Sequence, residues 1–219
     1  MASSTCQIVE VEPTIVEAFL GTIEEPPPMV AITPLQSTEA ETPAASPPDN
    51  AAFRASIFTD VKGSTAFTNQ LGDARLMDLL RIHNSVVREA LKAHGGREVK
   101  HTGDGLMGSF TSVASAVECA IAILRALEAH KRENPNTPID LRIGLSAGEP
   151  LEQDQDLFGA TVQLAARLCQ RAEANRILVS GVVQELCLGK NLPFKDQGRK
   201  TLKGFDRPVR VYEVEWSPA

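Results

Sequence analysis

The sequence predicts an α+β sandwich, and two observations lead to that fold class. From residue 53 onward, short apolar segments typical of strands alternate with longer segments that repeat apolar residues at helical spacing. The predicted order begins strand, helix, strand, strand, helix, strand, which is typical of a ferredoxin-like split βαβ arrangement. An appended helix and a C-terminal hairpin follow. A body of this size can bury a substantial apolar core.

The elements of the body follow from local patterns. Phe53 to Phe58 predicts the first strand, and apolar residues at helical spacing from Asp73 to Ala93 predict the first helix, which Gly95-Gly96 ends. The same reasoning predicts a hairpin of 97–102 with 106–110, a helix at 112–130, a strand at 139–147, a helix at 159–172, a strand at 177–180, a short helix up to 188, and a hairpin of 194–202 with 209–216.

The first 50 residues differ in composition from the rest of the chain. They hold eight of the 14 prolines, eight acidic residues and no Lys or Arg. Proline lacks the backbone N–H that helices and central strands need, so we expect a linker without a fixed fold over residues 24–50. Residues 7–23 contain enough large apolar side chains for a short strand or helix, either a docking segment or a remnant of a larger unit. The expected boundaries are 1–50 for the acidic Pro-rich segment and 51–217 for the folded domain.

Charge and cysteine content exclude several classes of protein. The net charge of -6 comes from the N-terminal segment, because residues 51–219 hold 22 basic and 20 acidic side chains. A nearly neutral body argues against a nucleic-acid-binding protein. No run approaches the ~18 apolar residues that span a bilayer, and Met1 to Thr5 lack the basic start of a secretory signal. Four widely spaced cysteines without a CxxC pair predict free thiols and a cytoplasmic location.

Two aspartates occupy positions that suggest chemistry. Asp60 follows the first predicted strand, and Asp104 lies at the tip of the first hairpin. These elements are neighbours in a ferredoxin-like sheet, so both carboxylates can converge at one edge, where their repulsion favours a divalent metal. Taken singly, Asp104 also suits a tight turn and Asp60 a helix cap. Gly63-Ser64-Thr65 would add N–H groups at a helix start, which suit phosphate.

Four motifs occur along the body, at 58–65 (FTDVKGST), 100–105 (KHTGDG), 156–162 (DLFGATV) and 202–204 (LKG). In this order they resemble the class III nucleotidyl cyclases, the family of adenylyl and guanylyl cyclase catalytic domains. The resemblance runs from about residue 53 to residue 216 and implies the palm-type variant of the ferredoxin-like fold. It also implies a homodimer arranged head to tail, with active sites shared between the subunits, that converts ATP to 3′,5′-cyclic AMP and pyrophosphate.

The resemblance assigns roles to the residues that match the family's motifs. It implies that Asp60 and Asp104 of one subunit bind two Mg²⁺ or Mn²⁺ ions, with the Val61 carbonyl as a further ligand. It also implies that Lys100 and Asp156 of the other subunit bind the base. A donating lysine and an accepting carboxylate complement the ring nitrogen and amino group of adenine. This argues against guanine directly and less firmly against a pyrimidine.

The remaining matches are three cations and one amide. Arg167 stands at the position of the family's transition-state arginine, and Lys203 and Arg176 match cations that contact the terminal phosphates. Gln163 stands where many members have an asparagine that orients the ribose, and its side chain is longer by one methylene. Two alternatives therefore stay open: a catalytically weak nucleotide-binding dimer that regulates a partner, and a cyclase for GTP or a pyrimidine nucleotide.

Overall fold

The computed structural model describes residues 52–63, 73–135, 137 and 139–216. The expectations for residues 1–50, for Ser64 and Thr65 and for the helix expected after Gly63 lie outside these residues. Within the described ranges, no helix is both long and apolar enough to cross a membrane. The cysteines of these ranges are buried free thiols, as predicted, at Cys119, Cys169 and Cys187.

The predicted elements occur in the predicted order, with small changes in their bounds and with one additional hairpin. The elements are β1 (Arg54–Val61), α1 (Asp73–Ala93), β2 (Arg97–His101), β3 (Gly105–Phe110), α2 (Val113–Glu133), β4 (Leu141–Gly148), β5 (Leu151–Gln153), β6 (Asp156–Phe158), α3 (Ala160–Arg171), β7 (Arg176–Ser180), α4 (Gly181–Leu186), β8 (Phe194–Lys200) and β9 (Val209–Val214).

Seven strands form one sheet in the order β2-β3-β1-β4-β7-β9-β8. Its first four strands have the ferredoxin-like order, which confirms the predicted fold class. Strands β4 and β7 are parallel, and α3 lies in the crossover between them, as parallel neighbours require. The predicted C-terminal hairpin β8–β9 extends the sheet beyond β7.

The sheet separates two layers of helices. Buried residues of β1 such as Ile57 belong to one large core cluster with α1 and α2. The alternate residues Phe58 and Asp60 lie on the opposite face, where they line a cavity with residues of α3. Gly144 of β4 permits the close approach of α3, because a Cβ atom there would lie 2.2 Å from the Cys169 nitrogen. We call this second face the α3 face.

Two features differ from the predicted elements. Strand β1 continues through Asp60 to Val61, because β3 and β4 pair with it beyond the apolar run on which the prediction rests. A separate hairpin, β5–β6, precedes α3 and was not predicted, since strands of three residues are too short for a recognisable alternation. Its turn places Asp154 and Gln155 at φ of 52° and 65°, the left-handed backbone of a two-residue hairpin.

Candidate active site

The strand register brings three of the charged residues into one row on the α3 face. Asp60 pairs with Arg142 of β4, and Arg142 pairs with Arg176 of β7. Directly paired residues of neighbouring strands point to the same side of a sheet. The row places the Arg142 guanidinium against Asp60 and puts Arg176 one strand further along the sheet. Arg142 is a residue that the sequence reasoning missed, and an arginine inside an otherwise apolar strand was the signal that could have revealed it.

Asp60 and Asp104 converge, as the sequence predicts. Both line a cavity of about 350 Å³ that Thr102 and residues of α3 also border. The Val61 N–H donates to the Asp104 carbonyl at 3.1 Å, which ties the hairpin loop to the end of β1. Gly105 makes this contact possible, since a Cβ atom there would lie 2.0 Å from the Thr59 carbonyl oxygen.

The surroundings of the Asp60 carboxylate shift its pKa in opposite directions. Burial raises its pKa, the guanidinium of Arg142 lowers it, and the neighbouring Asp104 carboxyl raises it again, with a net increase over the ordinary value. Arg142 Nε donates to Asp60 Oδ2 at 2.9 Å, and Nη1 donates to the Gln170 carbonyl at 3.1 Å. Arg142 therefore supplies part of the positive charge that two adjacent carboxylates need.

The oxygen groups at this point fit a divalent metal. Two carboxylates and nearby backbone carbonyls are the hard oxygen donors that Mg²⁺ and Mn²⁺ prefer. Among the residues that the structure describes, no group of three or more His, Cys, Asp or Glu side chains could hold a metal ion. Asp60, Asp104 and the Val61 carbonyl would therefore leave coordination positions for water or substrate oxygens, as Mg²⁺ usually does.

The second predicted pair, Lys100 and Asp156, is in direct contact. Lys100 Nζ lies 2.5 Å from Asp156 Oδ2 and 5.4 Å from the centre of the Phe158 ring. Burial of Asp156 acts to raise its pKa, but hydrogen bonds from Lys100 and from the Leu157 N–H outweigh it and lower the pKa. Asp156 is thus an ionised hydrogen-bond acceptor, and Lys100 beside it is the donor.

This pair shares the α3 face with the aspartates. Lys100 pairs with Met107 of β3, which pairs with Phe58 of β1, two residues before Asp60. A second ion pair fastens the β5–β6 hairpin to β2, because Arg97 Nη2 lies 2.9 Å from Glu152 Oε1. The hairpin that carries Asp156 is therefore held on the edge strand that carries Lys100.

The predicted residues of α3 and the following loops form another cluster. Arg167 Nε donates to the Lys203 carbonyl at 3.2 Å, and Arg167 Nη1 donates to Gln170 Oε1 at 2.8 Å. Gln163 lies exposed one helical turn before Arg167. Since Gln170 also lines the cavity of Asp60 and Asp104, this cluster is linked to the aspartate pair.

Arg176 is paired in a way that the sequence did not predict. Its Nη1 lies 2.7 Å from Glu213 Oε1 of β9, and the arginine side chain is 59% exposed. Glu213 is only 15% exposed, so the acidic partner is held on β9 while the guanidinium faces solvent, where a polyanion could also contact it. Arg176 is connected to Asp60 through strand register, since it pairs with Arg142, which pairs with Asp60.

Comparison with solved structures defines the class of this domain. The adenylyl cyclase CyaB from P. aeruginosa superposes with a TM-score of 0.68 at 26% identity, over 76% of this chain and 95% of that chain. The guanylate cyclase domain of RhGC from Catenaria anguillulae, solved in complex with GTP, superposes with a TM-score of 0.65 at 20% identity, over 75% and 97% of the two chains. The fold is that of a nucleotidyl cyclase domain.

Sequence comparison then gives the family. The sequence profile of the adenylate and guanylate cyclase catalytic domain matches residues 54–215, and the chain belongs to this family. The putative adenylate cyclase 3 of Rhizobium meliloti is 34% identical over 159 residues, which are 68% of this chain and 27% of that protein. The adenylate cyclase of Streptomyces coelicolor is 29% identical over 137 residues, 62% of this chain and 35% of that protein. The chain therefore spans much less than half the length of these relatives.

Proposed function

We propose that residues 51–217 form an adenylyl cyclase domain that converts ATP to 3′,5′-cyclic AMP and pyrophosphate. The observation that carries this proposal is the direct contact of Lys100 with Asp156. Adenine presents a ring-nitrogen acceptor and an amino donor, so a lysine and a carboxylate side by side match both positions. Guanine presents the reverse pattern, so the lysine would meet a ring N–H donor and the carboxylate would meet a carbonyl acceptor.

The aspartate pair supplies the metal site of the proposed reaction. Asp60, Asp104 and the Val61 carbonyl would hold two Mg²⁺ or Mn²⁺ ions. Such ions lower the pKa of a bound hydroxyl and neutralise phosphate charge. The reaction requires the 3′-hydroxyl of ATP to lose its proton and attack the α-phosphorus, while the bond from this phosphorus to the pyrophosphate oxygen breaks.

The cations around the pair would act on the triphosphate. Negative charge moves onto the leaving pyrophosphate, and guanidinium or ammonium groups fixed nearby stabilise that change. We assign this role to Lys203 and Arg176, and we add Arg142 because its guanidinium already lies against Asp60. Arg167 would stabilise the transition state, and the Gln163 amide would orient the ribose.

The proposed enzyme is a homodimer with two composite sites. One subunit would supply Asp60 and Asp104, and the other would supply Lys100, Asp156 and Arg167. A twofold dimer repeats such a site twice, because each subunit presents the same surfaces to its partner. This arrangement rests on the likeness to the cyclase family, and complementation between two inactive variants tests it.

The first experiment is a substrate panel. The purified chain is incubated with ATP, GTP, CTP and UTP, each with Mn²⁺, and the products are identified by mass spectrometry. We expect cyclic AMP to predominate, and Asp60→Asn or Asp104→Asn to remove it. Asp78→Asn is the matched control, because this exposed carboxylate lies on α1, in the opposite layer.

Two other outcomes would change the proposal in different ways. A different cyclic nucleotide would keep the reaction and overturn the assignment of Lys100 and Asp156 to adenine. No product from a folded dimer would favour the nucleotide-binding regulatory module, for which the longer side chain of Gln163 is the supporting feature. A misplaced positioning group lowers a rate by about 100-fold. If Gln163 is the cause, Gln163→Asn should restore the rate.

A further inference from the structure

A buried polar contact lies behind the aspartate pair, in the core between α1 and the sheet. Thr59 and His83 are 1% and 0% exposed, and Leu79 and Val87, one helical turn before and after His83, are buried as well. His83 Nε2 lies 2.9 Å from Thr59 Oγ1. Replacing both members of such a contact by apolar groups of similar shape is often neutral for stability, so packing alone does not require it.

The contact is part of a chain of hydrogen bonds in which every group is satisfied. A neutral His83 can donate from Nδ1 to Asn84 Oδ1, at 2.9 Å, and accept from the Thr59 hydroxyl at Nε2. The Thr59 oxygen in turn accepts from the Leu106 N–H at 3.2 Å. Burial lowers the pKa of His83, in keeping with a neutral ring. The chain thus connects α1, β1 and β3.

This series of hydrogen bonds lies next to the two aspartates in the sheet. Thr59 directly precedes Asp60, and Leu106 follows Asp104 by two residues, with Gly105 paired to Asp60 between them. Hydrogen bonds are directional and lose strength when their geometry shifts, whereas apolar contacts tolerate sliding. A directional contact at this point restrains how β1 and β3 lie against each other where the two carboxylates meet.

We propose that Thr59 and His83 are positioning residues that hold Asp60 and Asp104 at the separation needed for metal binding. This inference depends on the proposed metal role of the two aspartates. Neither side chain would be a metal ligand, since the Thr59 hydroxyl contacts His83 of α1, on the face of the sheet opposite to Asp60. They act as groups that orient the ligands of a metal. Removal of such an orienting group weakens metal affinity by about 10- to 100-fold.

The test measures Mn²⁺ binding to the full chain by titration calorimetry, without nucleotide. Thr59→Val keeps the shape of the side chain and removes the hydroxyl, and Thr59→Ser keeps the hydroxyl. We expect Thr59→Val to weaken Mn²⁺ binding about 10-fold and Thr59→Ser to stay close to the wild type. His83→Gln is a second variant that interrupts the same chain, and it carries the test if Thr59→Val does not fold.

Leu79→Ala controls for a general loss of stability. This residue is buried in the same layer and forms no part of the chain of hydrogen bonds, so we expect lower stability with unchanged Mn²⁺ affinity. Wild-type affinity in folded Thr59→Val, or an equal loss of affinity in Leu79→Ala, would overturn the inference. A wild-type chain that does not bind Mn²⁺ would instead refute the metal role of Asp60 and Asp104, and the inference with it.

Discussion

Lys100 on the edge strand β2 and Asp156 on β6 are joined by a contact of 2.5 Å, although 55 residues separate them in the chain. The contact links the main sheet to a hairpin that exists only as a second, two-stranded sheet. The donor and acceptor proposed to bind adenine are therefore in direct contact with each other. Each side chain has further hydrogen-bonding capacity for a base, so base preference is the most direct property to test.

Replacing the donor at position 100 by an acceptor, and removing the carboxylate at position 156, should change base preference. Lys100→Glu combined with Asp156→Cys places an acceptor where the donor was and removes the carboxylate. We expect the ratio of kcat/KM for ATP over GTP to fall about 10-fold to 100-fold, since a hydrogen bond to a charged group contributes roughly 1.5–3 kcal/mol. Steady-state kinetics with both nucleotides provide the measurement.

Glu152→Gln is the matched control for this exchange. It weakens the second ion pair of the same hairpin, with Arg97, and leaves Lys100 and Asp156 intact. We expect an unchanged ratio in this variant. An unchanged ratio in the double variant, with measurable turnover, would show that these residues do not determine the base.

The close packing of α3 on the sheet should make Gly144 intolerant of any side chain. In Gly144→Ala the new Cβ would lie 2.2 Å from the Cys169 nitrogen and 2.3 Å from the Ala165 carbonyl oxygen, both backbone atoms. Overpacking of this kind reduces the free energy of unfolding by about 3 kcal/mol, and urea denaturation measures it. We also expect cyclase activity to fall, because α3 carries Gln163 and Arg167.

Gly181→Ala tests whether the loss is specific to that contact. A Cβ atom at Gly181 would come no closer than 3.9 Å to any neighbour, and the position begins α4. Alanine there should leave the free energy of unfolding unchanged or raise it slightly. Equal losses in both variants would contradict the packing argument.

Acidic pH should destabilise the fold through His83. Burial lowers the pKa of this residue below its ordinary 6.5, so the unfolded chain binds a proton more readily than the folded chain. The stabilising contribution is complete above about pH 6.5 and is lost as the pH falls below that value. We expect the wild-type Tm to fall between pH 7 and pH 5 more steeply than that of His83→Gln.

His101→Gln provides the comparison for this pH dependence. His101 is exposed and contacts Glu98 and Arg88 at the surface. Its replacement removes an exposed imidazole and leaves the buried contact of His83 with Thr59 in place. Parallel slopes for the wild type and His83→Gln would show that the buried ring does not control acid stability.

Complementation should reveal whether the proposed site is shared between subunits. Asp104→Ala and Arg167→Ala are each expected to be inactive as purified proteins. After co-refolding we expect about one quarter of wild-type activity, because half of the mixed dimers are heterodimers with one intact site. The measurement is cyclic AMP formation by the mixture and by each variant alone.

A verified heterodimer without recovered activity would place the whole site within one subunit. The structure gives that outcome a physical basis, because Arg167 donates to Gln170, which lines the cavity of Asp60 and Asp104 in the same chain. In that case the roles proposed for the residues would stay, and the composite arrangement would be withdrawn.

Local patterns were sufficient for much of the fold. The apolar period of α1 predicts its bounds at Asp73 and Ala93, and the turn residues around Asp104 predict the β2–β3 hairpin. These features depend on residues close together in the chain. The β5–β6 hairpin was not predictable in the same way, since its three-residue strands are held by Arg97 and Lys100 from a distant strand.

The sequence by itself determined the order of the elements and the motifs that indicate a cyclase, because each of these depends on residues close together in the chain. The predicted order of the strands then placed Asp60 near Asp104. Only the tertiary structure revealed the contact of Arg142 with Asp60, the pairing of Arg176 with Glu213 and the buried contact of His83 with Thr59. Strand register and helix packing create these contacts between residues far apart in the chain. No local pattern specifies which distant partner a buried polar side chain will meet.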